Sequence, residues 1–395
     1  MPRYGHSLAY NRGMSKKYDV IVVGLGGVGS AATFALAERG CRVLGLDQFS
    51  PPHSRGSSHG ETRIIRKSYF EHPSYVPLLC RAYDLWRELE MRSEERLYLP
   101  TGLLEIGPED GIVIPGVLKS AAHFDLPIER LTMPEAKKCF PGLQGDDSWS
   151  VILERDAGYL NVEACVKAHL DSAATLGAKL LVNQKVLGWE PNGDGVRIRT
   201  RDEDFFADKL ILAGGPWAGD LLSQLQIPLK VLHKHLYWYE VDNGSYRERD
   251  GFPCFFYETP IGHFYGFPER DALGLKIARH SGGEPVRSEI DGHHERNRDD
   301  ELVVGSFLAK NLPSVSQRMT RWTGCYYTMT PDEHFIVDTL PNHPQVTVVA
   351  GLSGHGFKFT SVLGELAADM STDRPISIDI EFLKLSRFSE HGSPV

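Results

Sequence analysis

The stretch Tyr18-Asp-Val-Ile-Val-Val23 followed by Gly24-Leu-Gly26-Gly-Val-Gly29 restricts what this chain can fold into more than any other. The first half is short, β-branched and apolar, as a buried parallel strand is. Ser30 to Arg39 then carries an alanine-rich helical pattern that stops at Gly40, and Arg42-Val-Leu-Gly-Leu-Asp47 reads as a second strand. The result is a β-α-β unit whose glycine turn lets backbone approach a pyrophosphate closely, with the positive end of the next helix facing its charge. Asp47 ends the second strand, where a carboxylate accepts hydrogen bonds from a ribose diol and disfavours the extra phosphate of NADP. The turn alone does not separate FAD from NAD.

The same signature returns later in the chain. Lys209-Leu-Ile-Leu-Ala-Gly-Gly214-Pro-Trp reads as a strand entering a glycine turn. Gln345 to Ala350 reads as another strand, followed by Gly351-Leu-Ser-Gly354-His-Gly356-Phe-Lys358 and a helix to about Met370. A helix from Val162 to Leu176 leads into Ala178 to Val182. Tyr75 to Glu90 is a helix with one buried stripe, Val76, Leu79, Cys80, Tyr83, Trp86 and Leu89, which makes Cys80 a core residue. Between these pieces lie aromatic stretches suited to a mixed sheet: Leu236-Tyr-Trp-Tyr-Glu, Cys254-Phe-Phe-Tyr and His263-Phe-Tyr-Gly-Phe. The expected architecture is α/β: a Rossmann-type dinucleotide domain assembled from discontinuous segments, with a mixed-sheet α+β substrate domain. The segments are 17–91, 154–228 and 325–388 for the first domain, and 92–153 and 229–324 for the second. Residues 1–16 form a loose extension, and the charged run Glu284 to Glu301 a solvated loop or helix. A three-piece nucleotide domain that starts at the N-terminus favours FAD over NAD.

Composition narrows the function. A formal net charge of -9 disfavours a nonspecific grip on nucleic acid or an acidic membrane. No apolar run reaches the roughly 20 residues a transmembrane helix needs, and Met1 to Lys17 has no apolar centre for a secretory signal. With no peroxisomal tail at Gly-Ser-Pro-Val395, a cytoplasmic protein is expected. Six cysteines without a C-x-x-C pair give neither a disulfide framework nor a zinc site. No metal is expected: His293 and His294 are adjacent, and His233 and His235 have no companion acid at ligand spacing in the sequence.

With Gly56-Ser-Ser-His-Gly-Glu-Thr-Arg-Ile-Ile-Arg66, Gly354-His-Gly-Phe-Lys358 and Thr323-Gly-Cys325-Tyr-Tyr-Thr328 added, the chain resembles the monomeric sarcosine oxidase family from about Tyr18 to Phe388. That family also holds the N-methyltryptophan, pipecolate and fructosyl amino acid oxidases. The resemblance implies FAD carried through a thioether between Cys325 and the 8α-methyl of the isoalloxazine ring. It implies a substrate carboxylate held by Arg66 and Lys358, with Thr62 and Arg63 near the ring and His59 in the same loop. Lys276 matches a lysine that promotes reaction with dioxygen, and His280 a histidine near the substrate. As i and i+4 on a strand, the two are expected to reach one cavity. Tyr265 and Tyr327 match aromatic positions of the substrate pocket, which Phe256, Tyr257 and His263 are placed to shape. The implied cofactor-binding set is Gly24, Gly26, Gly29, Asp47, His59, Val186, Gly214, Cys325, Gly354, Gly356 and Lys358.

The expected activity is oxidation of the C–N bond of a secondary amino acid, sarcosine first, giving glycine, formaldehyde and hydrogen peroxide. Its partners are a small amine and dioxygen, and the family default is a monomer. Two rivals remain at this stage: an NAD-dependent dehydrogenase using the same glycine turn, and a flavin-bearing binding protein without turnover.

Overall fold

A computed structural model describes residues 17–222, 227, 229–286, 290 and 294–389. The expected N-terminal extension, part of the charged run after Glu284 and the C-terminal tail lie outside the described residues. An eight-stranded sheet forms around the opening motif. Its parallel centre runs, by position in the sheet, His343–Ala350, Asp204–Leu212, Lys17–Val23, Val43–Leu46 and Lys179–Leu181. These strands pack apolar residues on both faces, the pattern of a sheet covered on each side. Val186–Asn192 and Gly195–Thr200 extend Asp204–Leu212 as an antiparallel meander, and Ile336–Leu340, antiparallel to His343–Ala350, is the eighth strand. Helices Gly27–Glu38, Val162–Thr175 and Thr360–Ser371 supply one apolar layer, packed through Val28, Ala32, Val166, Val362 and Leu363.

Backbone contact sets the glycine turn. Gly24 has φ +89°, and a Cβ there would lie 2.4 Å from the Ala213 carbonyl oxygen. A Cβ on Gly29 would lie 1.6 Å from the Gly24 carbonyl oxygen. Neither neighbour can move without breaking the sheet. Gly29→Ala is therefore expected to cost at least about 3 kcal/mol of stability, read as a lowered thermal midpoint. An unchanged midpoint would mean that this turn is not built as described.

The second sheet has nine strands in the order Glu284–Pro285, Lys230–Val241, Leu275–Arg279, Gly262–Phe267, Cys254–Thr259, Leu103–Gly107, Ser150–Glu154 and Glu129–Thr132, with Val315–Met329 on the other edge of Lys230–Val241. Its core carries Tyr237, Tyr257, Phe264 and Phe307. A small sheet of Thr62–Ile65, Gly158–Asn161 and Tyr98–Leu99 completes the fold. Among the described residues, no helix is long and apolar enough to cross a membrane.

Two expectations, the burial of Cys80 and the start of the opening helix, need correction. Cys80 is exposed, not core. The buried face of helix Val76–Ser93 runs through Leu78, Leu79, Ala82, Tyr83, Trp86 and Leu89, which leaves position 80 one step beyond its edge. The expected boundaries at 91 and 325 fall within helix Val76–Ser93 and strand Val315–Met329, elements that would run from one proposed domain into the other. That strand stays whole because it pairs along its length with Lys230–Val241, including Lys234 opposite Cys325. The opening helix starts at Gly27 rather than Ser30, because the motif's own glycines form its first turn.

Candidate active site

One large cavity, about 240 Å³, draws its wall from both sheets. The first contributes Gly24, Gly26, Asp47, Val186 and Gly214, together with the following segments Gly56–Ser58, Arg63 and Arg66. The second contributes Phe256, Tyr265, His280, Cys325 and Tyr327, and the turn after His343–Ala350 contributes Gly354, Gly356 and Lys358. Most of the residues singled out in the sequence thus meet at one surface.

At the nucleotide end, Asp47 is buried and its carboxylate oxygens accept from Leu25 N at 2.7 Å and Phe49 N at 2.8 Å. This ties the end of the second strand to the glycine loop, and lone pairs remain on both oxygens. Gly27 N, in the first turn of a twelve-residue helix without an acidic residue in that turn, donates to Ser58 Oγ at 3.0 Å. Gly29 does not line the cavity and acts through the turn it permits. Gly354 has φ +81° and packs bare against the Tyr327 ring, where a Cβ would lie 2.3 Å from ring carbon. A cradle of uncovered backbone beside a helix N-terminus, with an acid at the second strand's end, suits a dinucleotide.

At the other end, Cys325 Sγ is 3.4 Å from Arg63 Nη2. Arg63 is held by its bonds to Thr62 O at 2.9 Å and Ser57 O at 3.1 Å, while Ser57 Oγ donates to Tyr326 O at 2.7 Å. The 57–63 loop and the Cys325 strand are thereby stitched together. His59 lies off the cavity wall with Nε2 3.1 Å from Gly56 O. Burial, aided by Arg63, pulls its pKa down to about 3, so the ring is neutral at pH 7.

Arg66 is buried between carboxylates and rings. Its Nη2 donates to both Glu71 oxygens, at 2.9 and 2.8 Å, and its Nε lies 3.2 Å from Glu105 Oε1. The guanidinium carbon sits 4.7 Å from the ring centres of both Tyr69 and Phe70. Glu105 is wholly buried, which pushes its carboxyl up to about 8 against the pull of Arg66. Lys358 Nζ donates to His355 O at 2.7 Å and to Tyr69 OH at 3.5 Å. Burial first, then the Arg66 charge, brings Lys358 down to about 7. The Tyr69 hydroxyl is 2.6 Å from His355 Nδ1, and His355 Nε2 is 3.1 Å from Glu333 O. Nε2 must donate to that carbonyl, so Nδ1 accepts from Tyr69, whose oxygen is then free to accept from Lys358. Tyr69, Glu71 and Glu105 carry no sequence signal beyond residue type, whereas His355 stands inside the motif Gly354 to Lys358 without a role read from it.

Lys276 and His280 do not reach one cavity. His280 follows the end of strand Leu275–Arg279 and lines the main cavity, with Nδ1 3.4 Å from Tyr327 OH. Lys276 lines a separate small pocket with Thr62, Trp238 and Phe267. Its ammonium donates to Gly60 O, to Thr62 O at 2.8 Å and to Thr62 Oγ1 at 2.9 Å, so the loop backbone stands between it and the large cavity. Burial, then the Arg63 charge, holds its pKa well below the ordinary lysine value. Tyr257 is also turned away, into the core of the second sheet, and His263 lies within 3.9 Å of Glu258 rather than in the cavity wall.

The sequence shows no acid near His233 and His235, yet the fold brings Glu284 beside them through its pairing with His233, and ligand atoms of the three lie within 4.8 Å of one another. Trp322 Nε1 donates to His235 Nδ1 at 3.3 Å. His293 lies outside the described residues.

Comparison with known proteins gives the family and the fold. Residues 19–370 match the family model described as FAD dependent oxidoreductase. A monomeric sarcosine oxidase from Streptomyces avermitilis is 38% identical over 374 residues, covering 92% of this chain and 97% of that protein. An N-methyl-L-tryptophan oxidase from Yersinia pestis (strain Pestoides F) is 39% identical over 374 residues, covering 94% and 99%. Among solved structures, NikD, an unusual amino acid oxidase essential for nikkomycin biosynthesis, superposes with a TM-score of 0.82 at 26% identity, covering 94% of this chain and 98% of that one. Glycine oxidase from Geobacillus kaustophilus, at 19% identity and TM-score 0.78, covers 94% and 99% and shares the fold.

Proposed function

Because the chain belongs to the family of FAD dependent oxidoreductases, we propose that it oxidises the C–N bond of an N-methyl or other secondary amino acid, with dioxygen as final acceptor. Sarcosine and N-methyltryptophan are both carried as substrates, since relatives named for each match at similar identity. The observation that carries the reading is the placement of two buried cations, Arg66 and Lys358, in the wall of a cavity that also contains the glycine cradle and Cys325.

In this reading Gly24, Gly26, Asp47, Val186, Gly214, Gly354 and Gly356 hold FAD, and Cys325 Sγ carries it through a thioether. When bound, FAD supplies the two-electron acceptor and its reaction with dioxygen. Arg66 and Lys358 bind the substrate carboxylate, which fixes the amine and its α-carbon in a dry enclosure. Tyr265, Tyr327, His280 and Phe256 enclose the rest of the substrate. Arg63 faces the cavity beside the sulfur and supports developing negative charge. Lys276 acts from behind, holding the backbone of 60–62. A monomer in the cytoplasm, with amine and dioxygen as its partners, completes the proposal.

The test is anaerobic mixing with sarcosine, N-methyltryptophan, pipecolate, proline and fructosyl amino acids. At least one is expected to bleach the flavin absorption, and the same compound should yield peroxide in air. Turnover that requires added NAD and yields no peroxide would overturn the reading. So would a chromophore that none of the panel bleaches.

The clamp should also be sensitive to pH. Carboxylate binding favours the charged form of Lys358, so affinity is fully present below the free value of about 7 and falls as pH rises through it. Glu105 ionises next, near 8, and acts in the same direction by adding negative charge beside Arg66. For a carboxylic acid without an amine, Kd is expected to rise by up to about tenfold per pH unit above 7. In Lys358→Met the limb near 7 should vanish. A flat profile in the unaltered protein would contradict the clamp.

A further inference from the structure

Among the described residues, the functional reading leaves one buried cation without a task. Lys234 lies in strand Lys230–Val241 and is 3% exposed. Its ammonium donates to three successive carbonyls, His280 O at 3.0 Å, Ser281 O at 2.8 Å and Gly282 O at 3.1 Å. These belong to the turn that follows strand Leu275–Arg279, where backbone carbonyls have run out of ladder partners. Gly282 and Gly283 take φ +68° and +117°, and a Cβ on Gly283 would lie 2.9 Å from Lys234 Cδ, so the turn is moulded onto the lysine stem. The same nitrogen lies 5.1 Å from the centre of the Tyr327 ring. His280 and Tyr327 both line the cavity, and Lys234 does not. Burial lowers Lys234 to about 8, which leaves it mostly charged at neutral pH, with three protons for three acceptors.

We infer that Lys234 is a positioning residue for the reaction, holding His280 and Tyr327 in the substrate wall by binding the carbonyls of the 280–282 turn. The inference deepens the function proposed above and rests on it for the choice of substrate. Without the ammonium, three carbonyls lose their donor and the turn must seek water, carrying His280 with it. A shift of about 1 Å in a group that lines a reacting centre can lower a rate by roughly 100-fold.

Lys234→Met keeps the stem and removes every donor, while Lys234→Gln keeps two donors without the charge. In anaerobic stopped-flow measurements, Lys234→Met is expected to slow the limiting rate of flavin reduction by about 10- to 100-fold. Lys234→Gln should recover most of that loss. In a His280→Ala background, adding Lys234→Met should cost less than about threefold more, because the two side chains act as one unit. Backbone hydrogen exchange across 280–283 should rise in Lys234→Met, a readout independent of turnover. The inference is overturned if the single variant stays within about twofold of the unaltered rate, or if the two losses multiply in the double variant. It is also overturned if exchange across 280–283 is unchanged. If Lys234→Met does not fold, Lys234→Gln and its exchange pattern decide. If no secondary amine reduces the flavin of the unaltered protein, the functional reading fails, and the exchange comparison still tests the hold on the turn.

Discussion

Cys325→Ala is expected to yield a protein whose yellow colour remains in solution when the polypeptide is precipitated with acid, whereas the unaltered chain should carry its colour into the pellet. Cys325 is buried at the cavity wall, and neither it nor any other described cysteine is in a disulfide. Among the described residues, the polar neighbours of its sulfur are Arg63 at 3.4 Å and, more weakly, Ser57 O at 3.8 Å and Tyr326 O at 3.7 Å. The thiol must give up its proton before its sulfur donates an electron pair to an electrophilic carbon, and a fixed guanidinium beside it offsets the negative charge of that nucleophile. Arg63→Met should therefore slow attachment while leaving Cys325 in place, seen as a mixture of pellet and supernatant colour that shifts to the pellet with time. The Cys325→Ala effect is all or none, because a thioether either forms or does not. Colour released by acid from the unaltered protein would end the covalent proposal and leave the oxidase proposal standing.

Arg66→Gln should lower kcat/KM for a carboxylate-bearing substrate by about 100- to 1000-fold, the scale of losing one partner of a buried charge pair. Arg66 presents a planar fork, and rings on both sides of it restrict its motion. In the structure that fork is engaged by Glu71 and flanked by Glu105, so under the proposed clamp a substrate carboxylate would add a third acid to the same cation. Arg66→Lys should lose nearly as much, since a single ammonium cannot satisfy Glu71 and an incoming carboxylate with the same geometry. Flavin content and thermal midpoint, measured beside the kinetics, separate lost recognition from lost structure. Less than about a fivefold fall in kcat/KM, with flavin retained, would remove Arg66 from the clamp.

The parts of this protein legible in its sequence are those whose cause is local. The first strand, the glycine turn and the next strand are each dictated by residues within a few positions, and the structure places them at 17–23, 24–29 and 43–46. The cations Arg63, Arg66 and Lys358 stand in ordered motifs, and all three reach the cavity wall. What is missed depends on contacts between distant segments. Glu105 meets Arg66 because two sheets converge, and Lys234 meets the 280–282 turn because strands 230–241 and 275–279 are neighbours. Glu284 joins His233 through a two-residue strand that no periodicity announces. The separation of Lys276 from His280 has a similar origin: the i, i+4 rule holds within a strand, and this strand ends at Arg279. Cys80 shows the limit of a helical stripe, whose width is set by the partner it packs on.

The sheet takes its last parallel strand from residues 343–350, and helix Gly27–Glu38 packs against a helix made still later, with Gly364 closed on Ala31 and Ala32. A nascent chain that has reached residue 212 holds a strand whose neighbour has not yet been translated. At about 5–20 residues per second, the ribosome needs roughly 7–26 s to deliver it. During that interval the open edge at Leu210 to Leu212 is a template for pairing with other chains. The sheet around strand Lys17–Val23 thus becomes complete only when residues 343–350 emerge, and a premature stop before residue 343 would release an unfinished sheet rather than a smaller enzyme.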